Sequence, residues 1–183
     1  MSIKQAILGF LSWKPLTGYE LKKLFVESPT LYWSGNNNQI YKTLVELHNE
    51  GLVTRQVQLQ EDHPSSKLYT ITDQGLSALR RWVLSTPELP QIRNSFLIQL
   101  AWADLLTPDE LDTLLANYEE EIHMQVAMLQ TQARRKVIAP ERTPREAYLW
   151  AMIAKHWLSF HENELNWVRQ LRQELDELET GKE

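Results

Sequence analysis

Apolar residues recur every three to four positions in three early segments of the chain, with polar residues between them. This period predicts amphipathic helices over residues 3–13, from Thr17 to about residue 27, and over residues 37–49. Thr17 and Glu20 stand three positions apart where the second helix begins, so each side chain can cap a backbone N–H near the other. Gly51 follows the third helix, at the position where a left-handed residue ends many helices.

After Gly51 the spacing of apolar residues changes from every three to four positions to every second position. Apolar and polar residues alternate over residues 52–59 and 67–71, which predicts two strands joined by the polar loop 61–66 into a β-hairpin. Thr72 then caps a fourth helix that runs to about residue 85. Three helices, a hairpin and a further helix follow one another in the order of a winged helix-turn-helix.

The helical period returns after residue 90, and no strand pattern follows it. One short helix is predicted over residues 93–105. Thr107 and Thr143 each begin a long helix with a proline in the next position and a glutamate at the third. The second of these helices reaches about residue 178, and the short loop between the two predicts an antiparallel helical hairpin.

Each long helix carries an apolar stripe that suits a helix core and a subunit interface. The stripes contain Leu111, Leu115, Tyr118, Ile122 and Leu129 in the first helix, and Ile153, Trp157, Phe160, Trp167, Leu171 and Leu178 in the second. The predicted fold is mainly α within the α+β class. An N-terminal winged helix-turn-helix, the DNA-binding domain, occupies residues 1–88, and an all-helical dimerisation domain occupies residues 89–183.

Composition narrows the class of protein. With 183 residues, 43% hydrophobic and 23% charged, the chain can bury a core, and its lack of cysteine excludes disulfides and zinc fingers. Without a signal-peptide pattern or an apolar run of membrane-spanning length, it is expected to be cytoplasmic, with no membrane partner.

The net charge of −5 divides unevenly between the two predicted domains. Residues 1–86 contain nine Lys/Arg and seven Asp/Glu, a net of +2, whereas residues 87–183 contain ten and seventeen, a net of −7. A mildly basic module beside an acidic one suits phosphate contact by the first and protein or solvent contact by the second.

Four consecutive amide side chains open the third predicted helix: Asn36, Asn37, Asn38 and Gln39. Asn and Gln can bind adenine through two hydrogen bonds in the major groove of double-stranded DNA. One of the asparagines is also explained as an ordinary N-cap. Four amides exceed what capping requires, so contact with bases or phosphates is predicted for at least two of them.

A set of residues around the amides is predicted to contact the DNA backbone. Tyr41 fits either the helix–helix contact or a hydroxyl contact with phosphate, whereas Lys42 suits phosphate. The remaining candidates are Tyr19, Lys22 and Lys23 on the second helix, and Ser66 and Lys67 on the hairpin.

The aromatic residues of the second half offer two interpretations. Aromatic residues at heptad spacing are first of all core and interface residues, but Trp150, Trp157, Tyr118 and Trp102 could also stack on a small aromatic effector. Two sets of possible metal ligands, Glu119 with His123 and His156 with His161 and Glu164, do not form a credible metal site. No catalytic motif and no cofactor site can be assembled, so enzymatic activity is not expected.

Five segments of the first half resemble the PadR-type family of bacterial transcriptional regulators. They are residues 6–11, 15–21 (Pro-Leu-Thr-Gly-Tyr-Glu-Leu), 39–44 (Gln-Ile-Tyr-Lys-Thr-Leu), 50–53 (Glu-Gly-Leu-Val) and 67–75. The resemblance implies a homodimeric, repressor-like protein with a helical dimerisation domain and, in some members, a small aromatic effector. Two departures stand out: Lys42 replaces the proline usual in the family, and residues 61–67 give the wing an acidic tip.

The predicted function is sequence-specific DNA binding by a homodimer on a palindromic operator. Two other interpretations remain open from the sequence. One is a winged helix used only for protein–protein assembly, which the small positive charge permits. The other is a small-molecule sensor or carrier built around the tryptophans.

Overall fold

The computed structural model describes residues 3–28, 37–60, 63–90, 93–134 and 142–181. The chain divides into two compact units, Met1–Glu88 and Leu89–Glu183. Each unit has its own cluster of buried apolar side chains.

Four helices and a small sheet form the first unit. The helices are α1 (Ile3–Leu11), α2 (Gly18–Glu27), α3 (Asn37–Asn49) and α4 (Asp73–Val83). The core lies between them, because α1 contacts both α3 and α4, and α2 contacts α3. Its fully buried side chains include Ile7, Phe10, Leu21, Leu44 and Leu47.

The predicted helix ends are confirmed where they depend on local hydrogen bonds. Thr17 Oγ1 accepts the Glu20 N–H at 3.2 Å, and a Glu20 carboxylate oxygen accepts the Thr17 N–H at 2.7 Å. Gly51 adopts the left-handed conformation, with φ of 71°, directly after α3. Thr72 caps α4 by accepting the Gly75 N–H at 3.0 Å, and its hydroxyl donates to Gly51 O at 2.8 Å.

The sheet differs from the predicted hairpin in two ways. Strand β2 (Val53–Gln60) pairs with β3 (His63–Ile71), so the residues from His63 to Ser66 that were assigned to the loop belong to the strand. A two-residue strand, β1 (Leu16–Thr17), was not predicted at all. It pairs with the other edge of β3, which gives the antiparallel order β1-β3-β2.

The second unit is entirely helical over its described residues. The single helix predicted for residues 93–105 is wrong: α5 spans Ser95–Ala101, and a separate 3₁₀ turn spans Ala103–Leu105. Trp102 stands between them with φ of −112° and ψ of 11°, outside the helical region, and so ends α5. The long helices α6 (Pro108–Arg134) and α7 (Pro144–Thr180) contact each other extensively.

Ion pairs fix the register of the antiparallel pair α6–α7. Arg172 binds Glu119 at 2.6 Å and Asp112 at 2.7 Å, and Arg169 binds Glu119 at 2.8 Å. Hydrogen bonds from Arg169 and Arg172 lower the pKa of Glu119. Glu119, considered above as a metal ligand, is thus paired with two arginines. Among the described residues, no group of acidic or histidine side chains could hold a metal ion.

The apolar stripe predicted for α6 is confirmed, but the stripe predicted for α7 is only partly correct. Leu115, Ile122 and Leu129 are buried. On α7 the core uses Leu165 and Val168 instead. Four predicted stripe residues remain exposed: Ile153, Phe160, Trp167 and Leu178. The helix has two apolar faces, and periodicity does not determine which of them meets α6.

None of the described helices is long and apolar enough to cross a membrane.

Gly75 provides a test of the junction between α4 and the sheet. A Cβ atom at Gly75 would collide with the backbone oxygen of Leu52, which accepts the Thr72 N–H at 3.0 Å. We expect Gly75→Ala to destabilise the protein by about 1–3 kcal/mol, measured by thermal unfolding. Gly9→Ala is the matched control. No atom lies within 4 Å of a Cβ placed at Gly9, so replacing this glycine of α1 with alanine should leave the stability of the protein unchanged or raise it. Equal effects of the two variants would contradict the packing described.

Candidate nucleic-acid interface

A cleft of about 420 Å³ opens on the first unit where α2, α3 and β3 meet. The start of α2 contributes one wall, α3 the second and the hairpin the third. The lining residues are Thr17, Gly18, Tyr19, Tyr41, Val45, Ser66, Lys67 and Tyr69. Four predicted DNA-contact residues, Tyr19, Tyr41, Ser66 and Lys67, are therefore brought together.

Strand β1 assembles this cleft. Leu16 pairs with Tyr69, and Thr17 with Leu68, so the chain enters α2 directly beside the hairpin. The capping box of Thr17 and Glu20 then starts the helix at that point. Tyr19 follows on the first turn with 70% of its surface exposed, so it can reach a ligand from the edge of the cleft.

Tyr41 packs against Gly18 as well as facing the cleft. A Cβ atom at Gly18 would collide with the Tyr41 ring, so the absence of a side chain there seats the ring against α2. Tyr41 nonetheless remains 48% exposed. The two roles considered from the sequence, helix packing and an accessible hydroxyl, are thus compatible in one side chain.

The amide run lies at the start of α3. Asn36 falls outside the described residues, and Asn37 is the first residue of the helix. Asn38, Gln39 and Lys42 are exposed. Because Ile40, Thr43, Leu44 and Leu47 are buried, α3 presents its polar side chains away from the core.

Two predicted lysines lie outside the cleft. Lys22 is half-buried on α2, and neither it nor Lys23 belongs to the cleft lining. Lys23 pairs with Glu27 at 3.7 Å. On the hairpin, Ser66 donates to Gln58 Oε1 at 3.4 Å, and Lys67 is exposed.

Arg55 is a candidate that the sequence reasoning missed. It pairs with Tyr69 across β2 and β3 and is exposed. Burial raises the pKa of Tyr69, Arg55 opposes this effect and Tyr41 adds to it, so both residues lie near the Tyr69 hydroxyl. Alternation along β2 puts Arg55 on the same face as Val53 and Val57, but only the register of β2 against β3 shows that Tyr69 shares this face.

The four aromatic effector candidates of the second unit do not share one lining. Tyr118 lines a groove of about 200 Å³ formed by the helical unit, and Trp102, Trp150 and Trp157 are not among its lining residues. Trp102 is 69% exposed. Trp150 is half-buried. The Trp157 ring contacts Phe160 and His161.

The compact helices, the hairpin and the exposed polar face of α3 define a winged-helix DNA-binding protein. Residues 7–81 match the model of the transcriptional regulator PadR-like family, and residues 92–176 match that of the virulence activator alpha C-terminal family. The first unit therefore belongs to the PadR-like family of transcriptional regulators, as the sequence motifs of that half indicated.

Two relatives illustrate the similarity. The chain is 29% identical over 129 residues to the negative transcriptional regulator PadR of Bacillus subtilis, covering 70% of this chain and 71% of the relative. The crystal structure of that protein with operator DNA matches with a TM-score of 0.81 at 24% identity, covering 92% and 96% of the two chains. Its structure with p-coumaric acid matches with a TM-score of 0.77 at 23% identity, covering 95% of this chain and 98% of that one. The Vibrio cholerae virulence activator AphA matches with a TM-score of 0.73 at 25% identity, covering 97% and 99%.

The contact between Gly18 and Tyr41 can be tested by a double-mutant cycle. We expect Gly18→Ala to lower the free energy of unfolding by about 1 kcal/mol, because the new methyl group displaces the Tyr41 ring. In a Tyr41→Ala background the same change should have almost no effect. Equal losses in both backgrounds, measured by urea unfolding at one protein concentration, would show that the two residues do not interact.

Proposed function

We propose that the protein is a homodimeric repressor that reads a palindromic operator with α3 and holds the DNA backbone with the cleft beside it. The observation that carries this proposal is the convergence of α2, α3 and the hairpin on one concave surface. The operator complex of Bacillus subtilis PadR, a structure of similar fold, supports the same use of the winged helix.

The exposed face of α3 is the reading surface in this proposal. Asn38 and Gln39 lie on the first turn, where a recognition helix approaches base edges most closely. Each well-formed pair of hydrogen bonds from an amide to adenine favours the correct base by about 1–3 kcal/mol. These two side chains therefore determine sequence preference.

Cations near the cleft determine overall affinity. Lys42 extends from α3, Arg55 from β2 and Lys67 from β3, and all three are exposed. The hydroxyls of Tyr19 and Tyr41 can also donate to phosphate oxygens. This local concentration of positive charge explains how a domain of only modest net charge binds a polyanion.

Dimerisation uses the apolar face of α7 that its own unit leaves exposed. Its large residues are Tyr148, Leu149, Met152, Ile153 and Trp167. A row of this size on a single helix exceeds the scattered apolar exposure that is usual on monomers. A second copy of the same helix covers it through a two-fold axis, and a palindromic operator for such a dimer has half-sites about one turn, or roughly 10 bp, apart.

The regulatory role extends to the helical unit. The relative of this protein in Bacillus subtilis, PadR, is a negative transcriptional regulator, and its crystal structure has been determined with p-coumaric acid. By analogy, a small effector binding to the helical unit here releases the operator, provided that it binds the free and DNA-bound states with different affinity. The protein acts in the cytoplasm, where the DNA is, and it has no catalytic activity.

Fluorescence anisotropy tests the DNA-binding residues. The probe is a labelled duplex from upstream of the protein's own coding region, compared with a scrambled duplex at several salt concentrations. We expect Lys42→Ala and Arg55→Ala each to weaken binding to both duplexes and to reduce the salt slope by about one, because each removes one phosphate contact. Asn38→Ala with Gln39→Ala should instead reduce the preference for the first duplex.

Arg81→Ala is the matched control, because it removes the same charge from α4, which packs mainly against α1. If Arg81→Ala weakened binding as much as Arg55→Ala, general electrostatics would explain the effect rather than the cleft. Absence of salt-dependent binding to any duplex would favour the protein-assembly interpretation.

The dimer surface has its own test. Ile153→Glu should dissociate the dimer in sedimentation velocity and weaken DNA binding, because a carboxylate would be buried against an apolar surface. Asn117→Glu places the same charge at an exposed position of α6 and should leave the dimer intact. An Ile153→Glu protein that remains dimeric would place the interface elsewhere.

A further inference from the structure

The groove beside Tyr118 combines a small volume with an unusual set of polar groups. The N-cap of α5, the middle of α6 and the middle of α7 enclose about 200 Å³. Drug-sized binding sites occupy roughly 300–1,000 Å³, so this groove suits a ligand of fragment size. Phe160, which is 40% exposed, and Ile122 provide its apolar walls.

Glu164 is the central polar group of the groove. One of its carboxylate oxygens, Oε1, accepts the Tyr118 hydroxyl at 2.7 Å and the Asn94 amide at 3.4 Å. Neither donor balances the charge of Glu164. The Asn94 amide is uncharged, and the Tyr118 hydroxyl stays protonated because burial and the bond to Glu164 raise the pKa of Tyr118 to about 12. Among the described residues, no lysine or arginine forms an ion pair with this half-buried carboxylate.

The rest of the lining adds negative charge and an unused acceptor. Glu121 is a second carboxylate, and no lysine or arginine lines the groove. Burial lowers the pKa of His161, and Glu164 only partly opposes this, so His161 is mainly neutral at pH 7–8. Gln125 Oε1 is buried, and no described group donates to it. A buried acceptor without a donor is costly, and a ligand bearing N–H groups would satisfy it.

We propose that this groove binds a small organic cation, a protonated amine attached to a flat apolar body. The ammonium group binds Glu164 and Gln125 Oε1, and the apolar body lies against Phe160 and Ile122. The aromatic walls favour a cation as well. An aryl carboxylate of the same shape would meet two like charges with no cation to balance it, so the groove discriminates against acids.

Asn94 gives binding in this groove a consequence for the rest of the chain. Its Oδ1 caps α5 by accepting the Phe96 N–H at 3.0 Å, while its amide donates to Glu164 and to Tyr118. An ammonium group at Glu164 competes with the Asn94 amide. Because Asn94 is the N-cap of α5, the competition alters how that helix is held at its start. This consequence rests on the effector role proposed above, whereas binding itself does not.

Three probes with the same phenol ring and nearly the same side chain test the charge preference. They are tyramine, which is a cation, tyrosol, which is neutral, and 3-(4-hydroxyphenyl)propionate, which is an anion. Isothermal titration of the full-length protein should show saturable tyramine binding, weaker tyrosol binding and weakest binding of the propionate. Glu164→Gln should weaken tyramine binding by about tenfold and remove the preference over tyrosol.

Glu120→Gln is the charge-matched control, because Glu120 is exposed on α6 and is not part of the groove. It should leave tyramine binding unchanged, and helical circular dichroism should be the same for all variants. Absence of tyramine binding at millimolar concentration, equal or tighter binding of the propionate, or an unchanged affinity in Glu164→Gln would each overturn the proposal. Operator binding, measured in parallel, tests the proposed regulator separately, since it does not depend on any of these outcomes.

Discussion

The pairing of Leu16 and Thr17 with the hairpin is the interaction on which the geometry of the proposed DNA-binding cleft depends. Two residues of backbone pairing bring the start of α2 to the edge of β3. The capping box then begins α2 at that point, and Gly18 provides the space in which the Tyr41 ring of α3 rests. Two helices and the hairpin therefore share one surface, and each side chain of the cleft is placed by backbone rather than by flexible loops.

A second junction holds the hairpin against α3. Gly51 ends α3 in a left-handed conformation, and Thr72, at the far end of the hairpin, returns to donate to Gly51 O. Gly75 permits the close approach of α4 to Leu52. Since the two ends of the hairpin are tied at the same place, its position relative to α3 is fixed by hydrogen bonds and not only by apolar packing. A rigid arrangement of this kind reduces the entropic cost of binding DNA.

Local signals in the sequence predicted much of the fold, because they act over three or four residues. The caps at Thr17, Thr72 and Thr143, and the stop at Gly51, needed no knowledge of distant contacts. Strand β1 has too few residues to show a period, and its partner lies about fifty positions away. On α7, two apolar faces compete, and only tertiary contacts select Leu165 and Val168 for the core.

The sequence predicted the candidate sites less completely than the fold. Exposed amides and lysines at a helix start are visible in the sequence, but Arg55 gains significance only from its register with Tyr69. The cluster of Asn94, Tyr118 and Glu164 joins residues separated by 46 and 70 positions. Such clusters combine side chains from separate helices, so no spacing rule could have revealed the uncompensated carboxylate.

Hydrogen–deuterium exchange of the full-length protein, with and without a duplex that it selects from a random pool, tests the central claim most directly. If α2, α3 and the hairpin form one DNA-binding surface, the duplex should slow exchange together in residues 17–23, 38–45 and 55–69. Exchange in α4 should change little, because that helix packs mainly against α1. Protection limited to α3, or strongest in α4, would contradict the account of a single three-part cleft.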